Sequence, residues 1–438
     1  MSRPAPPSVP HRTRHAGRRR RDHYGDCRLP PAARVAEQLL AEPWPEAEAP
    51  FRAQPSWLGG DGALSIALDS ERTLWLFGDS FVRDDSLPDA TRSGRTGTVM
   101  VRNTIAIQTG ANLAGTRMTF HARADASGRP AAFFPDSTTG QHWLWPGHGI
   151  VARHRLILFM HRMQLDDTEG GLGFRPAGAV AFSISRIKWP PPVWRIDPIE
   201  VPAIPSAGLF GASVVREGAH VYAFGVRDPG DRALTLVRWQ GESFDRGDLS
   251  SPEIWSGTAE GFTRDGKAAA LVAPVSTELS VTRDPRGGFV LMSSKGFGVA
   301  QIEVRFANTL SGPWSEPSTV DLSPYVEQHG VANTLVYAAK AHPEQQGAEW
   351  VVTYAVNSLD ATRVWNDLSI YFPRVLRLRR AQRRRLVRSG RARSRLGAHR
   401  GELALEQGSD ARERGAQRAH RGGRSREVSA LRRALQRL

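Results

Sequence analysis

The sequence predicts an all-β protein, a single five-bladed β-propeller with disordered basic extensions at both ends. Three observations carry that prediction. Amphipathic helical periodicity is almost absent from the 438 residues. A hairpin unit recurs, opening near residues 61, 148, 211, 278 and 334, and all-strand repeats of this size point to propeller blades rather than a solenoid. The 12 Trp and 42 Gly suit strands packed on both faces and joined by frequent turns.

In chain order, Ala33–Leu40 carries the one short amphipathic helical pattern, just ahead of Pro43. The first hairpin pairs Ala63–Leu68 with Thr73–Phe77 across the polar turn Asp69-Ser70-Glu71-Arg72. The second joins Gly147–Val151 to Leu156–Met160, and the third joins Gly211–Val215 to His220–Gly225. The fourth runs from Glu278–Thr282 to Phe289–Ser293, and the fifth from Thr334–Ala339 through His342–Gly347 to Trp350–Val356. Val180–Ile184, Leu234–Trp239 and Ala300–Phe306 fit a further strand within their units.

Asp61 and Asp79 stand symmetrically about the first turn, so a hairpin sets them side by side at its open end. Directly opposed residues hold their Cβ atoms roughly 4.5–5.5 Å apart. Like charges that close repel unless one is protonated or a ligand lies between them, which suits acid/base or glycosidic chemistry. Each aspartate alone, in Gly-Asp-Gly or Gly-Asp-Ser, reads as turn punctuation; the symmetric pair reads as function.

Innermost propeller strands line a central channel, so residues opening them converge on one funnel. Those positions hold Asp61, His148, Ser213, Glu278 and, displaced into the last turn, His342. Glu278 is also readable as an exposed strand-initial acid, and His342 in Ala-His-Pro as a turn residue. Trp143, Trp145 and Phe81 are candidates for stacking on sugar rings, set against a place in the core between blades.

The net charge of +15 is confined to the ends. From Arg377 onward there are 20 Arg against five acids, residues 1–22 hold seven Arg against one acid, and the body between is net −6. No nucleic-acid groove is therefore expected in the body. The last 62 residues contain no Phe, Trp or Tyr. They read either as a disordered basic arm or as the product of a shifted reading frame, with Val428–Leu438 able to form a short helix. A nucleic-acid-binding tail would show steep salt dependence. No apolar run follows Arg18–Arg21, so no secretory signal is read, and no stretch is long enough to span a membrane. A single cysteine, Cys27, excludes intrachain disulfides and a Cys-cluster metal site. No metal or cofactor is expected.

Several segments together resemble a known family. They are 60–81 with Leu-Trp-Leu-Phe-Gly-Asp-Ser-Phe, Arg102–Ile107, Trp145–Ile150, Phe210–Val215, Glu278–Val281, Ser311–Ser315, Lys340–Pro343 and Tyr371–Arg374. The family is one of five-bladed β-propellers long described as a domain of unknown function, some of whose members are endo-D-arabinanases. The resemblance covers roughly residues 55–378. It implies Asp61 and Asp79 as catalytic residues, with Glu278 a third carboxylate borrowed from the wider propeller glycosidases. It also implies action outside the cytoplasm, and at His148 an acidic residue is expected in many relatives.

The expected organisation is an N-terminal extension over 1–44, a propeller over 45–378 and an Arg-rich tail over 379–438. The expected activity is hydrolysis of furanosidic linkages in a D-arabinan-like cell-wall polysaccharide. Asp61, Asp79 and Glu278 are the catalytic candidates, and Asn103, Trp145, His148, Ser213 and His342 the substrate-binding ones. The alternative is a non-catalytic glycan- or protein-binding propeller. A polysaccharide is the expected partner and the protein is expected to be a monomer.

Overall fold

The computed structural model describes residues 34–87, 94–136, 141–166, 173–327, 334–345, 347 and 349–381. The expectations for residues 1–33 and for the tail from 382, including the helix at Val428–Leu438, lie outside the described residues. The described residues build five antiparallel sheets of four or five strands, together with a three-stranded sheet (Trp57–Gly60, Ser80–Arg83 and Thr98–Val101), two of whose strands interrupt the first of the five, and a two-stranded one (Arg123–Ala124 with Pro130–Ala131). Sheet 1 is Leu64–Ala67, Arg72–Phe77, Thr104–Thr109 and Arg117–His121. Sheet 2 is His142–Ala152, Arg155–Leu165, Phe174–Ser185 and Arg195–Ile199. Sheet 3 is Leu209–Glu217, His220–Val226, Leu234–Gln240, Glu253–Trp255 and Phe262–Thr263. Sheet 4 is Leu279–Arg283, Phe289–Ser294, Gln301–Ala307 and Ser318–Asp321. Sheet 5 is Thr334–Ala341, Trp350–Ser358 and Arg374–Arg380, finished by Leu39–Pro43 from the other end of the chain.

That last strand corrects two expectations. Leu39 and Leu40 belong to a strand, not to a helix over Ala33–Leu40, and 39–43 lie in the fold although the sequence assigned them to the extension. The far boundary moves too, because the strand pairing with them runs to Arg380. Edge pairing outweighs the weak helical pattern, since Arg374–Arg380 would otherwise expose a row of unpaired backbone groups. Ionic contacts pin the seam. The buried Asp284 carboxylate accepts from Arg34 at 2.7 Å and from Arg380 at 2.6 and 3.0 Å. A helix the sequence did not signal, Pro45–Arg52, follows; it buries Phe51, which meets Trp75 edge-on at 5.1 Å.

Apolar layers lie between neighbouring sheets, and strand alternation explains them. In Arg72–Phe77, Leu74 and Leu76 face sheet 2 with Leu156 and Leu158. Trp75 and Phe77 face the other way, against Val351 and Val375 of sheet 5. A strand between two sheets must be apolar on both faces.

The inner strands are clasped by hydrogen bonds that pass from each sheet to the next. His148 Nε2 donates to Ser65 O at 3.2 Å, and its Nδ1 accepts from Val214 N–H at 3.0 Å, which places the proton on Nε2. Ser213 Oγ accepts from Val281 N–H at 2.9 Å and donates to Val281 O at 3.3 Å. Ser280 Oγ accepts from Ala341 N–H at 2.8 Å. His342 Nδ1 and Ser65 Oγ, 2.5 Å apart, return the series to sheet 1. This belt surrounds a cavity of about 270 Å³ lined by Ser65, His148, Ser213, Ser280, Lys340 and His342.

Candidate active site

Strand pairing in the first hairpin ends at Leu64 opposite Leu76 and resumes, in a second sheet, at Gly60 opposite Ser80, so Asp61 and Asp79 lie in the irregular stretch between. Gly78 N–H donates to Asp61 O at 2.9 Å, and Asp61 N–H to Asp79 O at 3.4 Å. Gly78 leaves the room that the Asp61 carboxylate occupies. A Cβ on it would stand 2.5 Å from Asp61 Oδ1.

The two carboxylates have different partners. Asp61 Oδ2 accepts from the Tyr337 hydroxyl at 2.7 Å, and that hydroxyl accepts from Asn357 Nδ2 at 3.3 Å. Asp79 engages both oxygens, accepting at Oδ1 from Trp145 Nε1 at 2.9 Å and at Oδ2 from Arg102 at 3.2 Å. The Arg102 guanidinium lies 4.7 Å from the Trp143 ring centre. Glu278 completes the group beside Asp61, its Oε1 3.8 Å from where a Gly62 Cβ would be. Lys340 Nζ sits 3.3 Å from that oxygen and donates to Ala338 O at 3.1 Å.

These surroundings shift both aspartates upward. Burial, then the Asp79 and Glu278 charges, push Asp61 to about 8, against the opposing pull of Tyr337 and Lys340. Burial also raises Asp79, opposed by Arg102 and by the Trp145 N–H. A protonated Asp61 keeps its bond from Tyr337 at Oδ2 and has a proton to donate from Oδ1. Asp79 accepts at both oxygens, once from a guanidinium, and these bonds favour its charged form against the burial that raises it. Among the described residues no three His, Cys, Asp or Glu converge on a metal position.

The structure thus brings Asp61, Asp79, Glu278 and Trp145 together. Other sequence candidates lie elsewhere. Asn103 is fully buried and spends its amide on backbone groups, donating to Phe134 O and Leu144 O and accepting from Phe134 N–H. It is a strut rather than a sugar ligand. His148, Ser213 and His342 belong to the inter-sheet belt, with their polar atoms committed there; His342 Nε2 lies 2.7 Å from Thr353 Oγ1. Phe81 is buried against Trp365 and Tyr371. It is core, unavailable to a sugar.

Three residues at the site escaped the sequence: Arg102, Tyr337 and Lys340. Strict alternation would put Tyr337 and Lys340, three apart, on opposite faces. A β-bulge between them, with Ala338 at φ 60°, re-aims the strand so that both reach the carboxylates. The inner strands of sheets 2 and 3 carry similar irregularities, at Pro146/Gly149 and Phe210/Ser213. Arg102 and Lys340 each open a segment that carries the family resemblance, which was the signal that could have found them.

Residues 48–380 match the family described as a domain of unknown function, DUF5005. The chain belongs to that family. No curated protein matches it in sequence. Among solved structures, a candidate hydrolase from Bacteroides ovatus aligns with a TM-score of 0.63 at 16% identity, over 78% of this chain and 90% of that one. This family member shares the fold of that protein. Glycoside hydrolases also occur among the structural neighbours at lower scores. An α-L-arabinofuranosidase from Podospora anserina gives 0.42 at 12% identity, over 79% and 98% of the two chains. An exo-1,5-α-L-arabinanase from a bovine ruminal metagenomic library gives 0.38 at 8%, over 75% and 94%. The DUF5005 chain has no described helix long and apolar enough to cross a membrane.

Proposed function

We propose that the five sheets are the blades of a five-bladed propeller and that Asp61 and Asp79 make it a glycoside hydrolase of a D-arabinan-like furanosidic polysaccharide. One observation supports this above the others: two opposed carboxylates whose hydrogen-bond partners differ in kind. Glycosidases commonly need one carboxylic acid to protonate the leaving oxygen and one carboxylate to attack the anomeric carbon or activate water. Asp61, raised to about 8, holds the proton for the leaving oxygen. Asp79, steadied by Trp145 and Arg102, is the nucleophile or base. Glu278, ion-paired with Lys340, is placed to accept hydrogen bonds from sugar hydroxyls. Trp145 bonds Asp79 and packs edge-on against Trp143, and the two are the candidates for contact with a sugar ring. The resemblance of segment 60–81 to the arabinanase-containing propellers directs the choice of D-arabinan.

The test is release of reducing ends from D-arabinan by the wild type and by Asp79→Asn and Asp61→Asn. Turnover is expected to fall by about three orders of magnitude or more in each, with the double variant losing little beyond either single one. The anomer first released, read by NMR, then distinguishes retention from inversion. A folded wild type that releases nothing while binding the polymer would be a glycan-binding propeller instead.

A further inference from the structure

Phe297 is half-exposed, with 53% of its surface open to solvent, in the loop that joins two strands of sheet 4. The loop leaves Phe289–Ser294 at the end where Glu278 enters its neighbour, so it lies at the carboxylate end of the fold. Its ring centre is 5.2 Å from that of Tyr337, the residue whose hydroxyl holds Asp61. Glycines flank it at 296 and 298, so neither of its sequence neighbours carries a side chain. The loop is nevertheless anchored: Gly298 N–H donates to Val336 O at 3.1 Å, Lys295 N–H to Gln301 O at 2.9 Å, and Lys295 Nζ to Gln301 Oε1 at 3.0 Å. Across the carboxylates, on sheet 2, Trp145 packs edge-on against Phe174 at 4.8 Å.

We propose that Phe297 is the stacking platform for a sugar unit on the sheet 4–5 side of the cleaved bond, opposite the Trp143–Trp145 wall. This rests on the hydrolase reading of the same site. A phenyl ring has no hydrogen-bonding group, so what it recognises is the C–H face of a ring, through dispersion and the negative charge of its π-face. A rigid, exposed aromatic beside a polar catalytic group supplies contact area at low entropic cost. The anchored backbone presents the ring without a further ordering penalty.

The experiment compares wild type, Phe297→Ala and Phe297→Trp on D-arabinan oligosaccharides of increasing length. It also titrates the same oligosaccharides calorimetrically into each form carrying Asp79→Asn. Phe297→Ala is expected to raise KM and Kd about tenfold for chains long enough to reach the platform, with a smaller effect on kcat, and Phe297→Trp to restore both. Trp189→Ala is the control for an exposed aromatic at the other end of the first hairpin, where Arg72 contacts Lys188 O, and should change neither. Equal KM and Kd for Phe297→Ala and wild type at every length would overturn the assignment, as would failure of Trp to restore them. A wild type that hydrolyses nothing would refute the hydrolase reading alone, because the calorimetric arm reads Phe297 without turnover.

Discussion

Gly78 shows how a missing side chain makes room for Asp61, the acid proposed above. The first atom that an added Cβ would meet there is the far end of the Asp61 side chain, not backbone. Gly78→Ala should therefore leave the fold intact, with a melting temperature within about 2 °C of wild type, yet displace the Asp61 carboxylate. Hydrolysis is expected to fall about 100-fold, the scale associated with roughly 1 Å of misplacement. A circular dichroism melt paired with a D-arabinan assay checks both halves. Asp61 itself yields a pH prediction. Its folded pKa lies above the unfolded one, so the native state holds a proton the unfolded chain releases, and the group's contribution to stability falls as pH rises from about 4 to about 8. Asp61→Asn abolishes that loss. Its melting temperature should exceed the wild type's at pH 8 and converge on it near pH 4.

At the scale of elements, the inter-sheet belt relies on neutral histidines. Burial pushes His148 down to about 4 and holds His342 well below the usual imidazole range, with the Lys340 and His148 charges adding to the second shift. Here the folded pKa lies below the unfolded one. Above pH 6.5 neither state is protonated and the belt is whole. Between about 6.5 and 4 the unfolded chain binds protons that the folded one refuses, so stability falls with pH in that window. Urea midpoints measured from pH 7 to 4.5 should decline, and His148→Gln should flatten the decline by removing one of these imidazoles. A midpoint in wild type that stays level across the window would show that the belt does not titrate there. Asp284 works in the opposite sense, since Arg380 and Arg34 hold its pKa down and its support is lost only as pH drops through the carboxylate range.

For the whole molecule, the decisive feature is closure of sheet 5 by both ends of the described chain. Arg374–Arg380 is an interior strand between Trp350–Ser358 and Leu39–Pro43. A chain ending at 381 should keep its β-type circular dichroism and its melting temperature. A chain ending at 373 should aggregate or unfold, because Leu376 and Leu378 leave the layer between sheets 4 and 5 and two strands lose their partner. Size-exclusion chromatography and melting of the two truncations separate these outcomes. Removing the basic tail is thus predicted harmless, and removing its first few arginines is not.

Much of this was legible in the order of residues. Gly-Asp-Gly and Gly-Asp-Ser around one turn marked Asp61 and Asp79 as neighbours at the open end of a hairpin, because antiparallel register is a matter of counting from the turn. The five hairpins and the two-faced apolar strand Leu74–Phe77 were readable for the same reason: both are short-range patterns. What the tertiary structure alone decided is which polar residues serve the site and which serve the frame. His148, Ser213 and His342 looked like funnel ligands, yet each bonds a neighbouring sheet. Arg102 and Tyr337 looked ordinary, yet each bonds one of the two aspartates. Strand Leu39–Pro43 finds its partner more than three hundred residues away. Such contacts depend on bulges and on closure of the sheets upon one another, and neither leaves a periodic signal in the chain.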